Sequence, residues 1–174
     1  RNQYGQLGLG DTTDRTTHTK VKYNGEDLKA KYVRGSGFST TIVGKDNKVY
    51  FMGGNDYGQS TNGNTSNVTS PTIVKWSDGT EVSNVIDSGT NVTSYVGTAK
   101  NTILIKQNGT VWISGYNGYG QFGDGTSSNK NVLTQIGQSD TNLNIRNEYI
   151  KVGNTIEAKI TNSKIFNVFI SNEG

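Results

Sequence analysis

The sequence predicts an all-β chain assembled from about three copies of one four-stranded antiparallel unit. Three observations lead there. A short glycine-containing motif recurs three times. Each copy is followed by turn signals set between alternating apolar and polar residues, the pattern of half-buried strands. No segment of ten or more residues carries a helical period.

The recurring motif is Asn-x-Tyr-Gly-Gln. It reads Asn2, Tyr4, Gly5 and Gln6 in the first copy, Asn55, Tyr57, Gly58 and Gln59 in the second, and Asn117, Tyr119, Gly120 and Gln121 in the third. Its asparagines stand 53 and 62 residues apart, which divides one array, 1–174, into repeats at approximately 2–54, 55–116 and 117–174. Each copy runs on into Gly10-Asp11-Thr12, Gly63-Asn64-Thr65 or Gly125-Thr126-Ser127. Glycine there supplies a positive φ or a close backbone approach.

Four strands are expected in each repeat. A first hairpin runs through Val21 and Tyr23 to Asn24-Gly25, and its counterpart runs from Thr72 through Trp76 to Asp78-Gly79. The third copy, around Thr134-Gln135-Ile136, is expected to turn within Ser139 to Asn142. Asn-Gly and Asp-Gly between alternating apolar residues are strong hairpin signals. A strand ending near glycine follows, at Leu28 to Gly35, Val82 to Gly89 and Ile145 to Gly153. A second hairpin closes each repeat. It joins Thr41-Ile42-Val43 to Val49–Gly53 through Asp46-Asn47, and Thr102–Ile105 to Val111–Gly115 through Asn108-Gly109. The third such hairpin is expected to turn at Asn162-Ser163 and end in Asn167–Ser171.

A four-stranded unit of this kind cannot bury both of its faces alone. Radial stacking solves that, so the expected architecture is a β-propeller arc of about three four-stranded antiparallel blades, partial or completed by an oligomer. The apolar content of 30% and mean hydropathy of −0.63 suit many thin layers better than one large core. A charged fraction of only 18%, together with aromatic residues on a pattern, argues against disorder.

These residues resemble the regulator-of-chromosome-condensation repeat family, in a bacterial, extracellular-like variant. The family hallmark is a strand ending in an aromatic residue and glycine, then Asn-x-x-Gly-Gln-Leu-Gly. It is best matched by Asn2–Gly8 and Gly115–Gly123, and the resemblance covers essentially the whole chain. Ser60 departs from it by replacing the apolar residue after Gln59, and a histidine common in the family is missing near Ser39 and Asn101. The resemblance implies seven blades in most full members. It also implies guanine-nucleotide exchange and chromatin binding in the best-known member, and β-lactamase inhibition in a secreted bacterial branch.

Little in the sequence points to catalysis. His18 is the one histidine, and there is no cysteine. Asp11, Asp46, Asp78 and Asp124 stand singly in turns, where aspartate accepts local backbone N–H bonds. Asp11, Thr13 and Asp14 alternate, as do Asp124, Thr126 and Ser128, but neither set has the carboxylates a calcium ion needs. Asn108 to Trp112 is similar to the aspartate box of sialidase propellers, which marks a turn. Sequons at Asn64, Asn67, Asn91 and Asn108 matter only in a eukaryotic secretory pathway. The basic stretch Lys20, Lys22, Lys29, Lys31 and Arg34 is read as a solvated face rather than a nucleic-acid site, given a net charge of only +3. No apolar run reaches membrane-spanning length, so no membrane insertion is expected.

The tyrosines Tyr4, Tyr57 and Tyr119 are expected to pack between neighbouring blades. The strand Val168-Phe169-Ile170 has the character of one that precedes a motif, and is expected to complete a first blade in a neighbouring repeat or in another copy. No catalytic, cofactor-binding or metal-binding residue is expected. The expected function is a non-catalytic protein- or glycan-binding module of a secreted or surface bacterial protein, its ligand unnamed by the sequence. The alternatives are a self-assembling structural repeat completed by strand exchange, as a homo-oligomer or with further blades of a longer chain, and a guanine-nucleotide exchange regulator.

Overall fold

The structure is a computed structural model. It describes residues 1–35, 37–83, 94–97, 100–105, 111–136, 150–152, 155–157, 161–162 and 167–168, with the backbone alone at 94–97, 105, 111 and from 150 onward. Its strands are β1 (Lys22–Tyr23), β2 (Glu26–Asp27), β3 (Ala30–Gly35), β4 (Ser39–Gly44), β5 (Val49–Gly53), β6 (Val68–Ile73), β7 (Ser94–Gly97), β8 (Asn101–Ile105), β9 (Val111–Gly115), β10 (Lys130–Ile136), β11 (Ile150–Val152), β12 (Thr155–Glu157), β13 (Thr161–Asn162) and β14 (Asn167–Val168). Among the described residues there is no helix.

Two four-stranded antiparallel sheets carry the architecture, one ordered β3-β4-β5-β6 and the other β7-β8-β9-β10. The pairs β1-β2, β11-β12 and β13-β14 are two-stranded hairpins. Each large sheet takes three strands from one sequence repeat and its outer strand, β6 or β10, from beyond the next motif. The motif is therefore the link that carries the chain from the third strand of a sheet to its fourth.

The β5 sequence shows why the sheets stack. Val49, Tyr50, Phe51 and Met52 are all buried, although side chains alternate across a strand. Val49 and Phe51 point one way, into a core with Val43, Val68, Val74, Val82, Leu104 and Leu133, against which Trp76 and Trp112 pack. Tyr50 and Met52 point the other way and join Ile42 and Ile73, with Val21, Tyr23, Leu28 and Ala30 packed against them. The first core joins the two large sheets. The second covers the far face of the first sheet with the β1-β2 hairpin and its flanks. An edge-to-face aromatic pair sits in each layer, Tyr23 with Tyr50 at 4.9 Å between ring centroids and Trp76 with Trp112 at 5.3 Å. These pairs mark equivalent layers, since Tyr50 and Trp112 hold matching places in β5 and β9.

The turn chemistry follows the sequence. Asn24 and Gly25 have φ of 49° and 84°, Gly79 has 83° and Asn47 has 65°. Such left-handed residues match the twist of a hairpin. One boundary differs from the sequence expectation. Val82 does not open the first strand of the second sheet; that strand is β7, Ser94–Gly97. Val82 instead closes the hairpin at Asp78-Gly79, its amide donating to the Val74 carbonyl at 2.8 Å beside the Lys75–Glu81 bridge. Leu28 does the same opposite Val21, and β3 begins at Ala30. The tight turns hold both arms in register, so the apolar residue ending the return arm is drawn into the preceding hairpin.

Residues 84–89 of the Val82–Gly89 expectation, the turns at Ser139 to Asn142 and Asn108-Gly109, Ser163, and the start of the Ile145 strand lie outside the described residues, while Asn162, expected in a turn, ends β13 opposite Asn167. Val168 ends β14, and Phe169 and Ile170 lie outside the described residues.

The two-sided burial of β5 yields a contrast. Phe51→Ala is expected to cost about 3–5 kcal/mol in urea unfolding. Val33→Ala, on the exposed strand β3, should stay within about 0.5 kcal/mol.

Candidate functional site

The residues that recur in the motif form one hydrogen-bonded loop, built alike three times. Its centre is the asparagine, buried in every copy. Its Oδ1 accepts the amide five residues on: Leu7 at 2.8 Å, Ser60 at 2.7 Å and Phe122 at 2.9 Å. Its Nδ2 donates to the carbonyl nine residues on, at Asp11, Asn64 and Thr126. In the first two copies the same group also donates to the Thr13 and Ser66 carbonyls. The asparagine's own amide donates to a side-chain oxygen twelve residues on, at Asp14, Asn67 and Asn129. Only a side-chain amide offers both an acceptor and two donors at this reach. The glutamine adds a second tie, its Oε1 accepting the amide of Tyr4, Tyr57 or Tyr119.

The glycine is required on two counts. Gly5 and Gly58 have φ of 79° and 84°, and a Cβ on them would lie 2.6 Å from Thr69 Cα and 2.4 Å from Asn131 Cα. The motif therefore lies flush on the outer strand of the following sheet. Backbone bonds fix it there, Gly10 N–H to the Thr69 carbonyl at 2.9 Å and Gly63 N–H to the Asn131 carbonyl at 3.0 Å. The Asn131 side chain returns a bond to the Gly63 carbonyl.

Two departures in the second copy have physical readings. Gly8, Thr61 and Gly123 occupy one position, with φ of 67°, 66° and 62°. A Cβ on Gly8 would lie 2.4 Å from Met52 Sδ. The counterpart of Met52 in β9 is the smaller Ser114, which leaves room for a side chain at Thr61. Thr61 bears a conformation rare for a β-branched residue, and its Oγ1 accepts the Lys75 amide at 2.9 Å. Ser60, where the other copies have Leu7 and Phe122, is fully buried with no partner for its hydroxyl.

The tyrosines differ by copy. Tyr4 meets Phe38 edge-on at 5.1 Å, and Tyr57 meets Tyr116 at 4.8 Å. Lys100 lies over the rings of Tyr116 and Tyr57, at 4.6 and 5.2 Å. Tyr119 touches only the edge of Tyr116 in this group and is 69% exposed.

The acidic and polar loop residues considered for metal binding are tied into the same loop. Asp11 accepts from Asn2 and Thr13, and Asp124 from Asn117 and Thr126. The hydrogen bond from the Arg15 guanidinium, with help from the Thr13 amide, holds Asp11 below the usual carboxylate range. Burial pushes the Asp124 carboxyl up, but the Thr126 hydroxyl and amide outweigh it and the net displacement is downward. Burial, reinforced by Asp46, raises the Tyr50 hydroxyl. Among the described residues no group of three or more His, Asp or Glu is placed to hold a metal. Asn64 and Asn67, the two sequon asparagines in view, are loop partners of Asn55, while Asn91 and Asn108 lie outside the described residues. His18 is exposed. Sequence reading missed the capping residue twelve positions on, although Asp14, Asn67 and Asn129 stand at one offset and were open to view.

Removing Asn55 leaves a buried amide and two carbonyls without their partner, so Asn55→Ala should cost about 3 kcal/mol or more. Ser60→Ala removes an unpaired buried hydroxyl and should stabilise by about 1 kcal/mol. Chemical denaturation of both variants checks the opposite signs, and a loss of stability in Ser60→Ala contradicts the reading.

No protein-family model matches the chain. The ultraviolet-B receptor UVR8 of Arabidopsis thaliana is 31% identical over 125 residues, 72% of this chain and 26% of UVR8. The probable E3 ubiquitin-protein ligase HERC4 of Mus musculus is 28% identical over 130 residues, 75% of this chain and 11% of HERC4. Human WBSCR16 aligns at a TM-score of 0.60 with 20% identity, over 78% of this chain and 33% of that one. Prp20p of Saccharomyces cerevisiae, the yeast RCC1, aligns at 0.58 with 17% identity, over 82% of this chain and 34% of that one. The chain thus spans about a quarter of UVR8 and about a third of the solved chains. Threefold motif, antiparallel four-stranded sheets and these relatives agree: the chain belongs to the regulator-of-chromosome-condensation (RCC1) type of β-propeller repeat family.

Proposed function

We propose that the chain is a non-catalytic protein-binding segment of a propeller, and that it engages an acidic partner along β3. The observation that carries this is the surface of that strand. β3 ends its sheet, and from Lys31 to Gly35 every residue is exposed, Tyr32 at 50% and Val33 at 59%. Lys29, Lys31 and Arg34 flank these two apolar side chains, and none of the three forms an ion pair among the described residues. Tyr32 on one face of the strand and Val33 on the other, beside cations of which Lys31 also donates to the Asn47 side-chain oxygen, suit an extended partner rich in Asp and Glu that grips the strand from both faces. The non-catalytic part of the reading is supported by the motif, whose asparagine and glutamine side chains are spent on the loop's own backbone.

The solved relatives lend support of the same kind. Prp20p was described with its binding properties to Gsp1p and histones, and yeast RCC1 was solved bound to Kap60. A secreted or bacterial-surface setting is supported by the cysteine-free, asparagine-rich composition alone; the relatives named above are eukaryotic.

Lysine on an edge strand also deters unwanted sheet pairing, and the test separates the two roles. Fluorescence anisotropy with a labelled peptide alternating Asp/Glu with Leu/Phe should show binding that weakens with salt. The triple variant Lys29→Glu, Lys31→Glu, Arg34→Glu keeps a charged edge yet should weaken binding roughly tenfold or more. Absence of binding, or binding indifferent to charge reversal, overturns the proposal.

A further inference from the structure

We propose that Asn117 is a masked modification site. In the folded chain the clamp keeps it inert. In the unfolded chain it loses ammonia to become aspartate or isoaspartate, and the third motif can no longer rebuild its clamp.

The third copy differs from the others at the residue that governs this chemistry. Gln3 and Asp56 follow the first two motif asparagines, but Gly118 follows Asn117. An asparagine side chain is lost when the backbone nitrogen of the next residue attacks its Cγ. The N–Cγ bond forms, the Cγ–Nδ2 bond breaks, and Nδ2 leaves as ammonia with the proton of the attacking amide. Water then opens the five-membered imide at either carbonyl, giving aspartate or isoaspartate. Glycine favours the ring closure because it sets no Cβ beside the attacking nitrogen. Packing selects the glycine here: a Cβ on Gly118 would lie 2.2 Å from the Tyr116 hydroxyl and 2.4 Å from its Cζ. The Tyr116 ring is itself held against Tyr57, Tyr119 and Lys100.

The folded chain restrains both ends of the attacked group. Asn117 is fully buried. Its Oδ1 accepts the Phe122 amide at 2.9 Å, and its Nδ2 donates to the Thr126 carbonyl at 3.0 Å and the Asp124 carboxylate at 3.2 Å. Its backbone carbonyl accepts the Gly120 amide at 2.8 Å. Cγ therefore reaches the Gly118 nitrogen only by giving up these bonds, and burial keeps water from the second step. Conversion removes the donor. A carboxylate at this position still accepts from Phe122, but it leaves the Thr126 carbonyl unpaired and sets a second negative charge against Asp124. Isoaspartate also adds a carbon to the backbone of a loop whose bonds need fixed offsets. An episode of unfolding thus leaves a lasting mark at this clamp.

The test follows each asparagine by peptide mapping and mass spectrometry. The native chain and the chain held in guanidinium chloride are incubated at the same mildly alkaline pH. Asn117 should convert roughly tenfold or more slowly in the native chain than in the unfolded one. In denaturant it should outpace Asn55 by roughly tenfold or more, because the Asp56 side chain crowds the ring closure. A short protease pulse in urea near the unfolding midpoint should then deplete chains converted at Asn117 by about tenfold relative to unconverted ones. Equal conversion in folded and unfolded chains overturns the proposal. So does conversion in denaturant no faster than that of Asn55, and so does equal survival of converted and unconverted chains in the pulse.

Discussion

The buried asparagine of the motif is the interaction on which the rest of the structure depends. A loop that passes between stacked sheets carries amides and carbonyls that water cannot reach, and each must find a partner. Asn2, Asn55 and Asn117 supply those partners from one side chain, binding groups five and nine residues away while their own amides are capped from twelve. The loop's shape follows from these bonds. Its shape in turn presents Gly5 and Gly58 flat against the next outer strand. A carboxylate in place of the asparagine could accept but not donate.

The second constraint is burial on both faces. A sheet whose third strand reads Val49-Tyr50-Phe51-Met52 has no side to give to solvent. It must be sandwiched, and the chain provides the sandwich by sending its fourth strand past the motif. Connection and packing are thus one device. The loop that closes one sheet is also the spacer that seats it on its neighbour. The exchange of Gly8 and Met52 for Thr61 and Ser114 shows how tightly this spacer is fitted: where the strand side chain shrinks, the loop residue gains one, at the expense of a left-handed threonine.

Much of this was legible in the sequence, and for local reasons. Asn24-Gly25 and Asp78-Gly79 announce their hairpins because φ is a property of the residue itself. The period of the motif is equally plain. What was not legible depends on partners distant in sequence. That β6 belongs with β3, β4 and β5 is decided by hydrogen bonds across the motif, not by any pattern inside Val68–Ile73. Val82 reads as the start of a strand because it is apolar and follows a turn, but its amide is taken by Val74. The exposure of Tyr32 and Val33 was hidden because apolar residues within a strand read as core, while on β3 both stay in solvent, one on each face.

If the asparagine clamp holds the repeat together, the amides it binds are closed whenever the protein is folded. Native-state hydrogen exchange measures this directly at Leu7, Ser60 and Phe122. The expectation is that these three amides, though they lie in loops, exchange only through global unfolding, with the denaturant dependence of core amides in β5. Exchange through local opening, as fast as that of the exposed Thr65 amide two turns along the same loop, would contradict it.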